Sequence, residues 1–577
     1  MLNQSLIKKI LLNQKLVDNK TIDKLQHQAE EEKLHLENLV LEQKIINEET
    51  LYEAAAQMLN LPFINLKGKI IRKDILFLIP EPIAQTHNII AFELENDVLK
   101  IATTEPSDLQ TFEFIRKKTG LKLQIFLASP HSIQETLKQY HKGLKAEFKE
   151  LTAINESGDT TSTSQDLKEL ATDLPVVRIV DTLLEYAIFE GASDIHIEPM
   201  EKELLVRYRI DGILRDVMTL PKNAQAGVTA RIKILANLKL DEHRQPQDGR
   251  FKISSDQYRV AFRVSIIPVF DGEKIVLRLL NESSQILTLE QLGFQKRSYE
   301  IVKANIEKPH GMILVTGPTG SGKTTTLYTI LNILNTPKVN IATVEDPVEY
   351  RMPRINQSQI NTKVGFTFAS GLRSLLRQDP DIIMVGEIRD VETAEIAIHA
   401  AMTGHLVLST LHTNDAVSTL PRLQDMGIAS FLIASTTNLI IAQRLVRKIC
   451  TNCIYSYNLT KENIKELEQR YNIESLLTTL VKEKVIDSVD IPLSELLFYR
   501  GKGCKQCNNN GYKGRIGIYE TLEITPDIQK LIMQKASAHE LFEAAKKQNM
   551  LTLFEDGIIK AKNGITTIEE IIRVTKE

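Results

Sequence analysis

Eight consecutive residues, Gly317-Pro318-Thr319-Gly320-Ser321-Gly322-Lys323-Thr324, have the spacing G-x-x-x-x-G-K-[ST]. The glycines let backbone N–H groups close round phosphate oxygens, Lys323 brings a point charge to the β and γ oxygens, and Thr324 offers a hydroxyl to Mg²⁺. The apolar run Met312–Val315 precedes this stretch, and a helix-like segment starting at Thr325 and reaching Leu334 follows it, as a strand-loop-helix requires. The chemistry implied is binding of ATP or GTP; the loop by itself does not select the base. Further on, Ile382-Ile383-Met384-Val385 reads as a buried strand that ends in Gly386-Glu387. That puts the Glu387 carboxylate at a strand's C-terminal end, where α/β sheets bind ligands, so Glu387 is a candidate for supporting Mg²⁺ or a water. A second strand-like stretch, Ala342-Thr343-Val344, leads into Glu345-Asp346-Pro347-Val348-Glu349. By composition alone such an acidic run is as readily a solvated turn as a site.

The chain has four cysteines, spaced as Cys450-x-x-Cys453 and Cys504-x-x-Cys507. They are too few for a disulfide scaffold, and four thiolates on two such knuckles suit a tetrahedral Zn²⁺. A closed four-sulfur shell leaves no place for a catalytic water, so the zinc expected here is structural.

These groups need several domains to position them. The 577 residues predict about four domains at a typical size of roughly 150 residues. Residues 1–60 contain an echo, Leu12–Asp18 against Leu41–Asn47 and Thr21-Ile22 against Thr50-Leu51, that predicts two helical hairpins N-capped by Asp18 and Asn47. Residues 61–141 read as a small α/β domain, with a strand about Leu99–Ala102 and helices about Asp108–Lys118 and His131–Tyr140. Asn155–Asp166 lacks any hydrophobic side chain, which makes 142–171 a flexible linker. A second α/β domain occupies 172–285, with a helix about Val176–Phe189 and alternating strands at Asp194–Ile197 and Leu204–Ile210. The nucleotide-binding domain fills 286–577, with the cysteine subdomain at about 447–512.

The combination of boxes resembles the secretion ATPases that drive type II secretion and type IV pilus assembly. The resemblance rests on the Lys323 loop, Thr343–Glu349, Leu376–Asp381 running through Gly386–Asp390, Thr403-Gly404-His405 and Leu411-His412-Thr413. Upstream, Ala192–Pro199 and Arg207–Gly212 look like that family's second N-terminal domain. The resemblance implies an α/β fold: a RecA-like ATPase core with a zinc subdomain, a preceding PAS-like domain, and an N-terminal helical plus small α/β region. It also implies that Glu349 orients or deprotonates the attacking water and that Glu387 supports Mg²⁺. Arg263 and Arg278 match arginines that reach the nucleotide from the preceding domain, and Arg373, Arg377 and Arg389 are further candidates within the core. His405 and His412 correspond to a histidine box that senses the nucleotide or its surroundings.

The family implies a homo-hexamer acting on an inner-membrane platform protein, with ATP, Mg²⁺ and Zn²⁺ as cofactors. The four cysteines and the long N-terminal region favour an assembly motor over a retraction motor. In some relatives a helical N-terminal repeat binds cyclic di-GMP through Arg-Leu-Gly and a later Gly. Here Leu6-Ile7-Lys8 with Lys15 and His35-Leu36-Glu37 with Lys44 replace them, and side chains there block close backbone approach, so no cyclic di-GMP binding is expected. A net charge of −3 and the lack of a basic, aromatic-rich segment argue against a DNA-handling motor and direct nucleic-acid contact. Met1–Lys20 has no signal-peptide core, and no apolar run approaches the ~20 residues of a membrane span. The expectation is a cytoplasmic protein held at the inner face of the plasma membrane through partners.

Overall fold

The computed structural model describes residues 4–14, 17–18, 21–22, 25–26, 36–43, 45–80, 83–84, 87–137, 139–140, 174–254, 259–281, 287–507 and 509–575. The linker expected at 142–171 and the positions Lys15, His35 and Lys44 lie outside them. The chain divides into two units, Met1–Leu280 and Asn281–Glu577.

The first unit begins with α1 (Gln4–Asn13), α2 (Leu36–Glu42) and α3 (Glu48–Met58). The two positions expected as caps each accept a backbone N–H. The Asp18 carboxylate accepts the Thr21 N–H at 2.9 Å, and 29 positions later the Asn47 side chain accepts the Thr50 N–H at 2.7 Å. Ile7, Leu11, Leu39, Val40, Leu51 and Ala55 bury a common apolar face. There follows a three-stranded sheet of β1 (Ile89–Glu95), β2 (Val98–Thr103) and β3 (Lys122–Leu127), with α4 (Leu109–Thr119) between β2 and β3. Asp108 caps α4, its side chain accepting from the Thr111 N–H.

After α5 (Leu174–Phe189) come β4 (Asp194–Pro199), β5 (Glu203–Ile210), β6 (Ile213–Pro221), α6 (Ala224–Leu235), β7 (Gln247–Ser254), β8 (Arg259–Val269) and β9 (Gly272–Asn281). They form a six-stranded sheet in the order β6-β5-β4-β9-β8-β7, with the first and last strands side by side in the middle, the PAS-like arrangement. Alternation drives the packing: Ile195, Ile197, Val206, Tyr208, Phe262, Val264, Ile275 and Leu277 join the buried core with Val180, Leu183 and Leu184 of α5. The intervening His196, Arg207, Arg209, Arg263 and Arg278 are more exposed.

One half-buried charge cluster joins the two α/β parts of this unit. His87 Nδ1 lies 2.7 Å from Asp108 Oδ2, and Nε2 lies 3.9 Å from Glu190 Oε1 beyond the end of α5. Burial depresses the imidazole, but hydrogen bonding to the two carboxylates outweighs it and carries His87 up to about 9. A group raised in the folded state stabilises fully below its unfolded value of about 6.5, and the contribution is lost as pH rises through 9. His87→Gln is therefore expected to lower the melting temperature more at pH 6 than at pH 9.5, a difference that a pair of thermal melts reads directly.

The second unit is built on a seven-stranded sheet of β10 (Gly311–Thr316), β11 (Ile341–Glu345), β12 (Ile355–Gln359), β13 (Ile382–Val385), β14 (Leu406–Leu411), β15 (Thr437–Ile449) and β18 (Tyr512–Glu523). Their order is β12-β11-β13-β14-β10-β15-β18, parallel throughout except for the β15–β18 pair. Strands β10, β11, β13 and β14 read as continuous apolar runs because helices cover both faces, among them α7 (Lys323–Leu334), α8 (Phe368–Leu375) and α9 (Val391–Met402). This is the RecA-like core. Between β15 and β18 the chain makes a small hairpin, β16 (Ile454–Asn458) with β17 (Leu497–Gly501), and two helices, Lys461–Arg470 and Ile473–Lys482. Those helices bury Leu467, Leu476 and Leu480 against Phe554, Ile558 and Ile571 of the C-terminal helices. Among the described residues no helix is long and apolar enough to cross a membrane.

Candidate functional site

Parallel pairing decides which residues meet. The C-terminal ends of β10, β11, β13 and β14 share one edge of the sheet, so the loops starting at Gly317, Asp346, Gly386 and His412 come together there.

The loop after β10 takes positive φ at Gly317 (+141°), Gly320 (+79°) and Gly322 (+90°). At Gly317 an added Cβ would lie 2.5 Å from the Gln443 carbonyl oxygen, so the close backbone approach requires glycine. Pro318, Thr319 and Gly320 are exposed, Ser321 is buried, and Thr324 and Thr325 sit in the first turn of α7, the former half-buried and the latter exposed. The N-terminus of α7 thus faces a glycine cradle with free backbone N–H groups and a favourable dipole for phosphate. The Lys323 ammonium donates to Gly317 O at 2.7 Å and Pro318 O at 3.1 Å. Burial pushes it below its ordinary range, with the Glu387 carboxylate opposing and the Arg444 charge adding to the shift.

Glu387 follows β13 and is mostly buried. One of its oxygens pairs with Arg389 at 2.6 Å and the other lies 3.5 Å from His412 Nε2. The Glu387 hydrogen bond, followed by the charges of Glu387 and Asp346, raises the Arg389 guanidinium against the cost of burial. Thr410 Oγ1 donates to Gly386 O at 2.7 Å and fixes this turn to β14. The acidic run separates into two environments. Glu345 is buried; Tyr328 and Thr343 donate to it, and Gln357 Nε2 donates at 3.2 Å. Burial raises its carboxyl, and its oxygens are engaged, so it is a structural anchor. Glu349 is half-buried, and its backbone N–H donates at 3.4 Å to the same Tyr328 hydroxyl. Glu349, Glu387, Lys323, Arg389 and His412 are therefore carried on loops from a single sheet edge.

The other sequence candidates go elsewhere. His405 precedes β14 while His412 follows it, which separates them by roughly 20 Å of strand. The His405 ring bonds Ala400 O at 2.9 Å, at the end of α9. Arg373 pairs with Glu392, and Arg377 donates to Arg373 O at 3.0 Å and Ser374 Oγ at 3.3 Å. In the first unit Arg263 is exposed on β8, and Arg278 pairs with Asp194 at 2.9 Å. Sequence reading missed Gln443 on β15. Its amide donates to Ser321 O at 2.6 Å and accepts from Thr326 Oγ1 at 2.8 Å, pinning both loop and helix. The available signal is a polar pair, Gln443-Arg444, interrupting the apolar run Leu439–Ala442.

The second centre lies at the far end of β15. Sulfurs of Cys450, Cys453, Cys504 and Cys507 lie within 4.8 Å of one another, with pairs at 3.7 Å (Cys450–Cys504), 3.9 Å (Cys453–Cys507) and 3.7 Å (Cys504–Cys507). A tetrahedral ion with metal–sulfur bonds of about 2.3 Å needs sulfur–sulfur edges of about 3.8 Å, so the donor set fits. The backbone N–H groups of Cys504 and Gly511 donate to the Cys507 sulfur at 3.1 and 3.2 Å and hold that thiol low against the opposing effect of burial. Burial, the larger effect at Cys453, carries it up to about 12.

The stretch of chain that carries both centres matches known proteins. Residues 169–573 match the model of the type II/IV secretion system protein family, and residues 59–147 match that of the MshEN domain. The latter match covers the small α/β region and leaves out nearly all of the helical repeat of 1–60. The chain is 39% identical to the type IV pilus assembly ATPase PilB of Pseudomonas aeruginosa, covering 98% of each chain. It is 38% identical to that of Myxococcus xanthus, over 98% of this chain and 97% of the relative. It is 44% identical to type II secretion system protein E of Pseudomonas aeruginosa, over 73% of this chain and 79% of that protein. With a glycine loop, a strand-end carboxylate and a match over more than two thirds of its length, the chain belongs to the type II/IV secretion system protein family.

Proposed function

We propose that the chain is an ATP-hydrolysing motor for type IV pilus assembly, extruding pilin from the inner membrane as a homo-hexamer that works on a platform protein. The observation that carries this reading is the near end-to-end likeness to relatives named as pilus assembly ATPases, N-terminal region included. Type II secretion is the second reading, favoured by higher identity over a shorter span.

In this reading Gly317–Thr325 cradle the phosphates of ATP and Lys323 turns from its loop carbonyls to the β and γ oxygens. Mg²⁺, if bound, would supply charge neutralisation to the phosphates, and Thr324 and Glu387 are the groups that would hold it. Glu349 orients or deprotonates the attacking water. Arg389 and His412 keep Glu387 in place. Arg263 and Arg278 are candidates for neutralising developing charge, with Arg373 and Arg377 as further candidates. His405 serves the end of α9. The four cysteines hold a structural Zn²⁺. The protein acts in the cytoplasm at the inner membrane.

The test is genetic. Deleting the gene should abolish surface filaments, counted by electron microscopy, and leave the export of secreted enzymes at the parental level. Filaments at parental density with exported enzymes trapped inside would assign the chain to secretion instead.

A further inference from the structure

Among the described residues Arg444 is a cation without a counter-charge. It lies on β15 between Gln443, whose amide pins the glycine loop, and Leu445, whose methyl groups would lie 3.7 Å from a Cβ added at Gly322. Its guanidinium is half-buried. Its hydrogen-bond partner is neutral: an Nη group donates to Asn414 Oδ1 at 3.2 Å, in the loop that begins at His412. Its Nε is buried without a partner. The nearest acidic influence is Asp415, but that carboxylate accepts from the Ser418 N–H and hydroxyl, both at 2.7 Å. Among the described residues Arg444 forms no ion pair, while most half-buried arginines of this chain do, Arg207 with Glu198 and Arg447 with Glu570 among them.

Taking a guanidinium partly out of water is costly unless an anion and hydrogen-bond acceptors replace the lost hydration. No such anion comes from the described side chains, and Arg444 also raises the cost of keeping Lys323 charged. Two cations near enough to repel each other at this edge of the sheet, one on the glycine loop and one against the loop after β14, are stabilised together by a multiply charged oxyanion. Arginine, with its planar fork, suits the oxygens of a diphosphate.

We propose that Arg444 is a phosphate-binding residue of the nucleotide site, contacting the polyphosphate of ATP and ADP from the chain that holds the Lys323 loop. This rests on the reading of the loop as an ATP site. It adds a ligand from β15, the strand that continues directly into Cys450, so the phosphates are held by a segment attached to the cysteine centre.

The experiment is calorimetric titration of the full-length wild-type, Arg444→Gln and Arg444→Lys chains with ATP, ADP and AMP, with a thermal melt of each. A lost hydrogen bond to a charged group predicts that Arg444→Gln binds ATP and ADP roughly ten- to a hundredfold more weakly. AMP affinity and melting temperature should stay put, and Arg444→Lys should recover part of the loss. Unchanged ATP and ADP affinities, or an equal weakening for all three nucleotides together with a lowered melting temperature, would overturn the proposal. If the wild-type chain itself bound no ATP, the failure would lie with the ATP-site reading. A second measurement needs no variant: ADP should shield Arg444 of the wild-type chain from butanedione modification, mapped by mass spectrometry, and AMP should not. Equal modification with either nucleotide would count against a phosphate contact.

Discussion

Glu349→Gln is expected to bind ATP with unchanged affinity and to turn it over about 10²–10⁴-fold more slowly, the range that loss of a positioned general base produces. The substitution keeps the shape of the side chain and removes its basicity. The backbone at 349 is held by the Tyr328 hydroxyl, which is itself tied to buried Glu345, so the loop keeps its place. Glu345→Gln makes the useful contrast. Glu345 is 2% exposed and its oxygens are occupied, so its loss should lower stability and disturb Tyr328 without the same selective effect on turnover. Phosphate release at saturating Mg-ATP, measured beside nucleotide affinity, separates the two roles. Turnover by Glu349→Gln at the wild-type rate would remove it from the catalytic list.

The second large effect concerns the cysteine centre. Cys504→Ser is expected to reduce bound zinc from about one ion per chain to none, because a closed four-thiolate shell tolerates no missing ligand. Binding of structural zinc is worth about 10 kcal/mol or more in small zinc peptides, so its loss should loosen both knuckles. The subdomain's two helices share a core with the C-terminal helices, so unfolding should stop there. A drop of a few kcal/mol moves the melting temperature of a unit this size by about 2–4 °C per kcal/mol, giving a fall of roughly 5–10 °C. Metal analysis and a thermal melt check both parts. Full zinc content in Cys504→Ser would contradict the assignment of all four ligands.

What was legible in the sequence is what is local. The glycine loop, the Val385-Gly386-Glu387 strand end and the two cysteine knuckles each carry their chemistry within a few residues, and the caps at Asp18 and Asn47 could be read from a repeat spaced by 29 positions. Contacts made across the chain were not legible. Gln443 meets Ser321 and Thr326 only because β15 lies beside β10, a pairing that no local pattern specifies. The apolar stretch Ala429–Ala442 divides into a helix, Ser430–Thr436, and the start of β15, where a single periodicity could not say where one ends. His405 and His412 look alike in sequence, seven positions apart, yet an intervening parallel strand sends them to opposite edges of the sheet. By composition the three carboxylates of the acidic run stand equal; the family resemblance singles out Glu349, and burial then separates anchoring Glu345 from half-buried Glu349.

The most direct measurement is the rate of phosphate release from Mg-ATP by the purified full-length, zinc-loaded chain, with Lys323→Ala assayed beside it. The account predicts steady, Mg²⁺-dependent release by the wild-type chain and none above background for the variant, whose loop has lost the charge that meets the β and γ phosphates. Equal release by both chains, or none by a wild-type chain that binds ATP, would contradict it.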